Sequence, residues 1–112
     1  MRILYSRDFE EDLKKIIDYI SYKLQNRKAA EDLLKRIFEE IARLKDNPHI
    51  GIPLASLFQT SNSWEYSKIV IGNYILIYRI VSDIVVERVF YGRRDYIKQL
   101  FSNDINDSLK KC

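Results

Sequence analysis

Three apolar stretches separated by very short polar connections restrict the fold of this chain more than any other feature. They run from Trp64 to Ile71, from Tyr74 to Val81 and from Ile84 to Tyr91. Gly72-Asn73 and Ser82-Asp83 separate them, and a two-residue connection of this kind between β-forming runs is a strong hairpin signal. The segment therefore predicts an antiparallel three-stranded meander.

An amphipathic helix is predicted upstream, roughly from Asp8 to Gln25. Ser6 or Asp8 supplies an oxygen for the unpaired amides at its start, and Asp8 with Glu11 forms a possible capping box. Apolar residues then recur at helical spacing. They are Phe9, Leu13, Ile16, Ile17, Ile20 and Leu24.

A second helix is predicted to begin after Asn26 and to end near Asn47, because Pro48 disfavours helical geometry in the residue before it. Since few residues separate the two helices, they form an antiparallel hairpin. Pro48 to Ser63 is predicted to be a loop that crosses from the helices to the sheet. His49, the single histidine, is interpreted there as a packing or helix-end residue and not as an acid–base group.

These elements, with a short strand at Met1 to Tyr5, predict an α+β fold. An N-terminal strand and a helical hairpin are expected to pack on the antiparallel meander, within one domain over residues 1–101. Asp95 to Phe101 is predicted to form one or two helical turns, and residues 102–112 a polar tail.

Composition excludes several classes of protein. With 112 residues, of which 46% are hydrophobic, the chain is long enough for one core. It contains no stretch of ~20 apolar residues that would span a membrane, and no signal peptide is evident, so a cytoplasmic protein is expected. Cys112 is the only cysteine, and neither a metal site nor a small-molecule cofactor is predicted.

The net charge of +3 arises from one part of the chain. Residues 66–98 hold six basic and three acidic residues, whereas the segments on either side are each balanced. The basic residues are Lys68, Arg79, Arg88, Arg93, Arg94 and Lys98. Such a local excess is typical of a surface that binds a polyanion, or of a sheet edge guarded by charge.

The stretch "VERVFYGRRDY" brings the densest part of this charge to the end of the last strand. Gly92 allows the backbone to leave the sheet, and Arg93 and Arg94 then stand near Arg88. Guanidinium groups there can hold phosphates or carboxylates bidentately. In the alternative interpretation Asp95 pairs with an arginine, Tyr96 packs on the terminal turn, and the motif only anchors the C-terminus.

The order of these elements, with "DFEEDLKKIIDYI", "LKDNPHIGIPL", "NYILIYRI" and "VERVFYGRRDY", resembles the RelE/ParE superfamily of toxin–antitoxin toxins, and in particular its ParE-type branch. The resemblance implies one of two activities: ribosome-dependent mRNA cleavage, or inhibition of DNA gyrase by binding. It also implies a small cognate antitoxin that wraps the toxin.

The resemblance to the ribonuclease branch is incomplete. That branch has an arginine after the tyrosine that opens the central strand, and here Tyr74 is followed by Ile75. Arg94 occupies the second arginine position, while Tyr91 stands where ParE-type toxins have a histidine. The family tyrosine would fall near Leu100, four residues beyond Tyr96.

We therefore expect a ParE-type toxin that binds a DNA-handling target such as gyrase. An mRNA endonuclease is the alternative, and an inactive relative that only binds an antitoxin is the second alternative. The candidate target-binding residues are Lys68, Arg88, Arg93 and Arg94. For a ribonuclease, the candidate catalytic residues are Lys68, Arg88, Tyr91, Arg94 and Tyr96. The antitoxin is expected to cover the meander at Leu76 and Ile77.

Overall fold

Two helices pack on one face of a five-stranded mixed sheet. The structure, a computed structural model, describes residues 1–54 and 66–92. The predicted C-terminal turn and tail therefore lie outside the described residues. The elements are β1 (Ile3–Tyr5), α1 (Arg7–Asp18), a π-helical segment (Tyr19–Lys23, the π turn), α2 (Arg27–Asp46), β2 (Ile52–Pro53), β3 (Tyr66–Ile71), β4 (Tyr74–Ile80) and β5 (Ile84–Tyr91).

The predicted meander is confirmed, and two further strands extend it. The sheet order is β1-β5-β4-β3-β2, and β4 is antiparallel to both β3 and β5. The first strand pairs in parallel with the last, so that Ile3 lies opposite Ile84. Ile52 and Pro53, within the predicted loop, pair with β3. The sequence indicated β1 as a strand but did not predict its partner, because a three-residue strand carries no pattern that specifies its neighbour.

The two tight connections of the meander differ slightly from each other. Gly72 has a φ of 60°, the left-handed conformation that a two-residue hairpin turn requires. The second connection has three residues and not two, since β4 ends at Ile80. There the Val81 amide donates a hydrogen bond to the Asp83 carbonyl at 2.9 Å.

Both helices begin with a side-chain cap. The Phe9 amide donates to Ser6 Oγ at 2.9 Å, so Ser6 and not Asp8 is the first cap. Asn26 caps α2 by accepting from the Ala29 amide at 3.0 Å. The end of α2 at Asp46 confirms the boundary predicted from Pro48. The first helix was predicted to continue to Gln25, but its last turn widens into the π turn.

Apolar clusters cover both faces of the sheet. The larger, inner cluster lies between the helices and the sheet, and includes Phe9, Ile37, Ile41, Leu44, Ile71, Leu76, Tyr78, Ile84, Val86 and Val89. The smaller, outer cluster consists of Leu54, Ile75, Ile77 and Phe90.

Tyr78 connects the segment after α2 to the central strand. Its hydroxyl donates to the Pro48 carbonyl at 2.8 Å and accepts from the Gly51 amide at 3.0 Å. A Cβ at Gly51 would lie 2.5 Å from that hydroxyl, so only glycine allows this close approach. The contact fixes where the chain enters β2.

Candidate functional site

The outer face, defined as the side of the sheet opposite the helices, carries three of the five candidate residues that the structure describes: Lys68, Ile77 and Arg88. Side chains alternate between the two faces along a strand, so the outer cluster identifies which residues share its face. The set is Tyr66, Lys68 and Val70 from β3, Ile75, Ile77 and Arg79 from β4, and Arg88 and Phe90 from β5.

Two cations stand on either side of an apolar centre on this face. In the strand register Lys68 lies opposite Ile77, and Ile77 lies opposite Arg88. Because neighbouring strands are ~4.8 Å apart, the backbones of the two basic residues are separated by ~10 Å. Ile77 between them is fully buried. The row is thus basic at its sides and apolar in the middle.

The guanidinium of Arg88 is held by Asp12 of α1. Its Nε donates to Asp12 Oδ2 at 2.6 Å and its Nη2 donates to Asp12 Oδ1 at 3.0 Å. The central carbon of the guanidinium, Cζ, also lies 4.7 Å from the centre of the Phe90 ring, which is a cation–π contact. The hydrogen bonds that Arg88 donates to Asp12 raise the pKa of Arg88 above its ordinary value. This bidentate geometry orients the guanidinium and commits its Nε–Nη2 edge within the protein.

Asp12 also supplies a hydrogen-bond acceptor to the edge of β5, at a position beyond the end of β1. Its Oδ2 accepts from the Val89 amide at 3.2 Å. One step earlier along the same edge, Ser6 Oγ donates to the Glu87 carbonyl at 2.6 Å. The start of α1 therefore replaces a neighbouring strand where β1 has ended, and covers an edge that would otherwise accept another chain.

A bulge in β5 brings a second ion pair to the outer face. The register between β4 and β5 shifts after Ile77, so that Tyr78 lies opposite Val86 and Glu87 is the extra residue. Arg79 Nε donates to Glu87 Oε1 at 3.1 Å. Arg79, like Arg88, therefore has an acidic partner within the described part of the chain.

Tyr91 lies on the inner side of the sheet, away from Lys68 and Arg88. It is directly opposite Tyr74, and the two ring centres are 5.2 Å apart with the planes tilted by 60°. Burial, and then the neighbouring Tyr91, raise the pKa of Tyr74. Tyr91 itself is 66% exposed.

A separate apolar cleft, here called the hairpin cleft, runs between β1 and the two helices. Its volume is about 340 Å³. Tyr5 and Phe38 line it, and these two residues are 42% and 39% exposed to solvent. The other apolar residues that line it are Phe9, Leu13, Ile17 and Leu34. Lys14 and two acidic residues form its rim.

No cluster of acidic, histidine or cysteine side chains within residues 1–54 and 66–92 could hold a metal ion. Over the same ranges, no helix is both long and apolar enough to cross a membrane.

Comparison with known families decides the relationship. The family model described as the ParE toxin of the type II toxin–antitoxin system parDE matches residues 3–96. The chain belongs to the ParE toxin family. It is thus the toxin component of a type II toxin–antitoxin system, as the resemblance implied. No curated protein sequence was found to match it.

Solved structures of low sequence identity share the fold of this ParE-family chain. A chromosomal ParDE system from P. aeruginosa aligns with a TM-score of 0.66 at 17% identity, covering 83% of this chain and 97% of that chain. A RelB–RelE antitoxin–toxin complex from Methanococcus jannaschii aligns with a TM-score of 0.52 at 21% identity, covering 88% and 98%. Both similarities confirm the α+β architecture.

Among the candidate residues that the structure describes, Tyr91 lies apart from Lys68 and Arg88. Lys68 and Arg88 share a row of the outer face, whereas Tyr91 lies on the inner side. Arg93, Arg94 and Tyr96 lie outside the described residues. The sequence indicated which strands carry the charge but not which faces, because the bulge at Glu87 reverses the alternation along β5.

The expectation that an antitoxin contacts Leu76 and Ile77 needs correction. Both side chains are fully buried by the chain itself, Leu76 in the inner cluster and Ile77 in the outer cluster. Both faces of β4 are covered in the fold. That cover comes from residues of this chain, so neither side chain is exposed to a partner.

Asp12 was missed in the sequence, although its position carried a signal. It lies three residues after Phe9 and four before Ile16, and is therefore on the apolar face of α1. An acidic residue on such a face requires a buried partner. Arg88, the one basic residue of β5, was the available candidate in the sequence.

Proposed function

We propose that this toxin stops growth by binding a DNA-handling enzyme such as DNA gyrase, and that a cognate antitoxin neutralises it. The proposal rests on the apolar centre of the outer face. Ile75, which is 1% exposed, packs there with Ile77 and Phe90 at the position where the ribonuclease branch carries an arginine. A buried apolar side chain at this position cannot stabilise charge on a phosphate, as RNA cleavage requires, whereas inhibition by binding needs no such group.

The geometry of the remaining candidates supports the same proposal. Cleavage of RNA by its own 2′-hydroxyl needs a proton acceptor, cations at the phosphorus and a proton donor. Arg88 directs its Nε–Nη2 edge to Asp12, and Tyr91 lies on the other face of the sheet. Within the described residues, this separation opposes their joint action on a single phosphate.

An mRNA endonuclease remains the second candidate, because one observation favours it. Lys68 and Arg88 lie in one row of one face, ~10 Å apart at the backbone, which is a span that a phosphate backbone could bridge. In that reaction the two residues would stabilise charge on the phosphate, with Arg94 and Tyr96 as further candidates from the sequence.

Inducible expression in a bacterial host separates these activities. We expect growth arrest with relaxed or broken DNA and intact mRNA, and purified toxin is expected to inhibit supercoiling by gyrase without ribosomes. Transcripts cut at ribosome-occupied codons would overturn the proposal in favour of the endonuclease. Soluble, folded toxin that causes no arrest would leave only an inactive antitoxin-binding relative.

Matched lysine variants test whether the outer face carries the activity. Lys68→Ala is expected to weaken the arrest several-fold, as is Arg94→Ala. Lys35→Ala removes the same charge from the exposed surface of α2, where Lys35 lies 4.0 Å from Glu39, and should leave the arrest unchanged. Equal effects of Lys68→Ala and Lys35→Ala would argue against this face.

The hairpin cleft is the proposed main contact for the antitoxin. Its exposed Tyr5 and Phe38 suit the apolar face of an amphipathic helix. Phe38→Ala should reduce rescue by the co-expressed cognate antitoxin while the arrest itself persists. Val81→Ala truncates a side chain of similar exposure, 46%, at the far turn and is the control. Full rescue of the Phe38→Ala toxin would contradict this assignment.

A further inference from the structure

A second apolar pocket, here called the aromatic pocket, lies on the opposite side of α1 from the hairpin cleft. Its volume is about 360 Å³. It lies between the end of the first helix and the edge of the sheet where β4 begins and β5 ends. The lining side chains are Ile16, Tyr19, Ile20, Leu24, Tyr74 and Tyr91, with Lys15 at the margin.

The π turn shapes the helical wall of this pocket. The Leu24 amide donates to the Tyr19 carbonyl at 3.0 Å. The donor and acceptor are five residues apart in the sequence, whereas in an α-helix they are four apart. This spacing sets Tyr19 and Leu24 one above the other, and both line the pocket. Gln25 then ends the segment with a φ of 51°. Single π-helical turns inside helices occur frequently at functional sites.

The sheet supplies the other wall through a pair of tyrosines. Tyr74 and Tyr91 are cross-strand partners with ring centres 5.2 Å apart. Tyr74 is half-buried, whereas Tyr91 extends to the opening. A guest in the pocket would therefore meet aromatic surface on one side and aliphatic side chains of α1 on the other.

The surface around the opening is unusually apolar for a part exposed to water. Tyr19, Tyr22, Leu24 and Tyr91 are 54%, 72%, 55% and 66% exposed. A shallow depression beside the pocket, lined by Tyr19 and Tyr22, extends this surface beyond the pocket. A small molecule would fill the pocket but leave the surrounding aromatic residues exposed, whereas a protein partner would cover both.

The charges near the opening favour an acidic partner. Lys15 and Lys23 lie beside the pocket and its depression, against one acidic residue, Asp18. Lys15 is exposed and forms no ion pair with any residue in the described ranges. A second copy of this chain, meeting the same patch across a two-fold axis, would bring like lysines together.

We propose that the aromatic pocket binds a large apolar side chain of the antitoxin, and that an acidic residue beside that side chain pairs with Lys15. The inference rests on the proposed neutralisation by an antitoxin and adds a second contact to it. The hairpin cleft and this pocket lie on opposite sides of α1, so an antitoxin that occupies both would wrap around the helix.

Peptide probes test the pocket without the antitoxin. The ¹⁵N-labelled full chain is titrated with N-acetyl-Trp-Glu-amide, and saturable shifts are expected at the amides of Ile16, Ile20, Leu24 and Tyr74. N-acetyl-Trp-Lys-amide should bind several-fold more weakly, and N-acetyl-Ala-Glu-amide should not bind measurably. Absence of saturable shifts up to the solubility limit, or shifts confined to the hairpin cleft, would overturn the proposal.

Adjacent lysines provide a matched control for the charge. Lys15→Glu should weaken binding of the Trp-Glu peptide several-fold. Lys14 lies at the hairpin cleft instead, so Lys14→Glu should leave that binding unchanged. Tyr91→Ala should abolish binding, and Tyr22→Ala, outside the pocket, should not. Equal effects of the two lysine variants would show that net charge and not the pocket governs binding, which contradicts the proposal.

Rescue in cells distinguishes failure of the pocket from failure of the proposed function. If wild-type toxin arrests growth and the antitoxin rescues it, Lys15→Glu should need more antitoxin for the same rescue. Equal rescue, with no peptide shifts, would overturn the pocket alone. A chain that causes no arrest but still binds the Trp-Glu peptide would overturn the toxic function and leave the pocket as a protein-binding site.

Discussion

At the scale of single residues, Asp12 has the most consequences for stability. It receives three hydrogen bonds, two from the Arg88 side chain and one from the Val89 amide. The side chains of Asp12 and Arg88 are 15% and 22% exposed, so water provides little compensation if one partner is removed. The pair therefore contributes to the fold, whatever Arg88 does for the target.

Asp12→Asn is expected to lower the free energy of unfolding by about 1–3 kcal/mol, because Arg88 loses its charged partner in a partly buried site. Urea denaturation monitored by circular dichroism measures the change. Glu11→Gln removes the same charge one residue earlier, at an exposed position, and should change stability by less than about 0.5 kcal/mol. A smaller effect of Asp12→Asn than of Glu11→Gln would contradict this role.

Tyr78→Phe is expected to destabilise the fold by about 1–2 kcal/mol at neutral pH, since the Gly51 amide and the Pro48 carbonyl lose their partner. Burial raises the pKa of Tyr78 above 10.0, so the unfolded chain loses this proton first. Stability should therefore fall as the pH rises above 10.0. The variant should show a shallower decline in urea midpoints between neutral and alkaline pH. A decline as steep as that of the wild type would contradict the assignment to Tyr78.

At the scale of elements, the sequence predicted what local chemistry determines. The turn at Gly72-Asn73 and the cap at Asn26 each depend on neighbouring residues, and the structure confirms both. The pairing of β1 with β5, the bulge at Glu87 and the π turn depend on residues distant in the chain or on packing, and no local pattern specified them. For the same reason the sequence indicated Arg88 as important but not Asp12 as its partner.

Ser6→Ala tests which residue begins α1. Ser6 accepts from the Phe9 amide and donates to the Glu87 carbonyl, so its loss should cost about 1–2 kcal/mol of unfolding free energy. Asp8→Ala removes the alternative cap that the sequence allowed, and should cost only about 0.5 kcal/mol through the helix dipole. Thermal denaturation of both variants decides between the caps, and a reversed order would assign the cap to Asp8.

Gln25→Gly tests the end of the π turn. A side chain at a φ of 51° is strained, and glycine removes that strain at the cost of a more flexible unfolded chain. The net expectation is a gain of about 0.5 kcal/mol in unfolding free energy. Gln25→Ala keeps the Cβ and should give no gain. Equal stability of the glycine and alanine variants would show that the conformation carries no cost.

At the scale of the whole molecule, β4 separates two apolar clusters. Leu76 belongs to the inner cluster and Ile77 to the outer cluster, although the two residues are adjacent. The helices cover one side of the central strand, and the apolar side chains of Leu54, Ile75, Ile77 and Phe90 pack together on the other. Substitutions in β4 report on the whole core and not on a surface.

Leu76→Ala and Ile77→Ala should each lower the free energy of unfolding by about 2–5 kcal/mol. Because the two side chains pack in different clusters, the double variant should show the sum within about 0.5 kcal/mol. Val70→Ala, at a side chain 40% exposed on β3, should cost less than about 1 kcal/mol and is the control. Urea midpoints of the four proteins provide the test, and strong non-additivity would mean that the clusters act as one.

The parallel pairing of β1 with β5 has a consequence for synthesis of the chain. The Arg2 amide and side chain bond to Asp83, 81 residues later, and Ile3 pairs with Ile84. A nascent chain therefore exposes its first strand without a partner until β5 has emerged from the exit tunnel. The sheet closes late, because contacts so distant along the chain form only after a large loss of loop entropy. Closure of the sheet therefore waits until β5 has emerged from the ribosome.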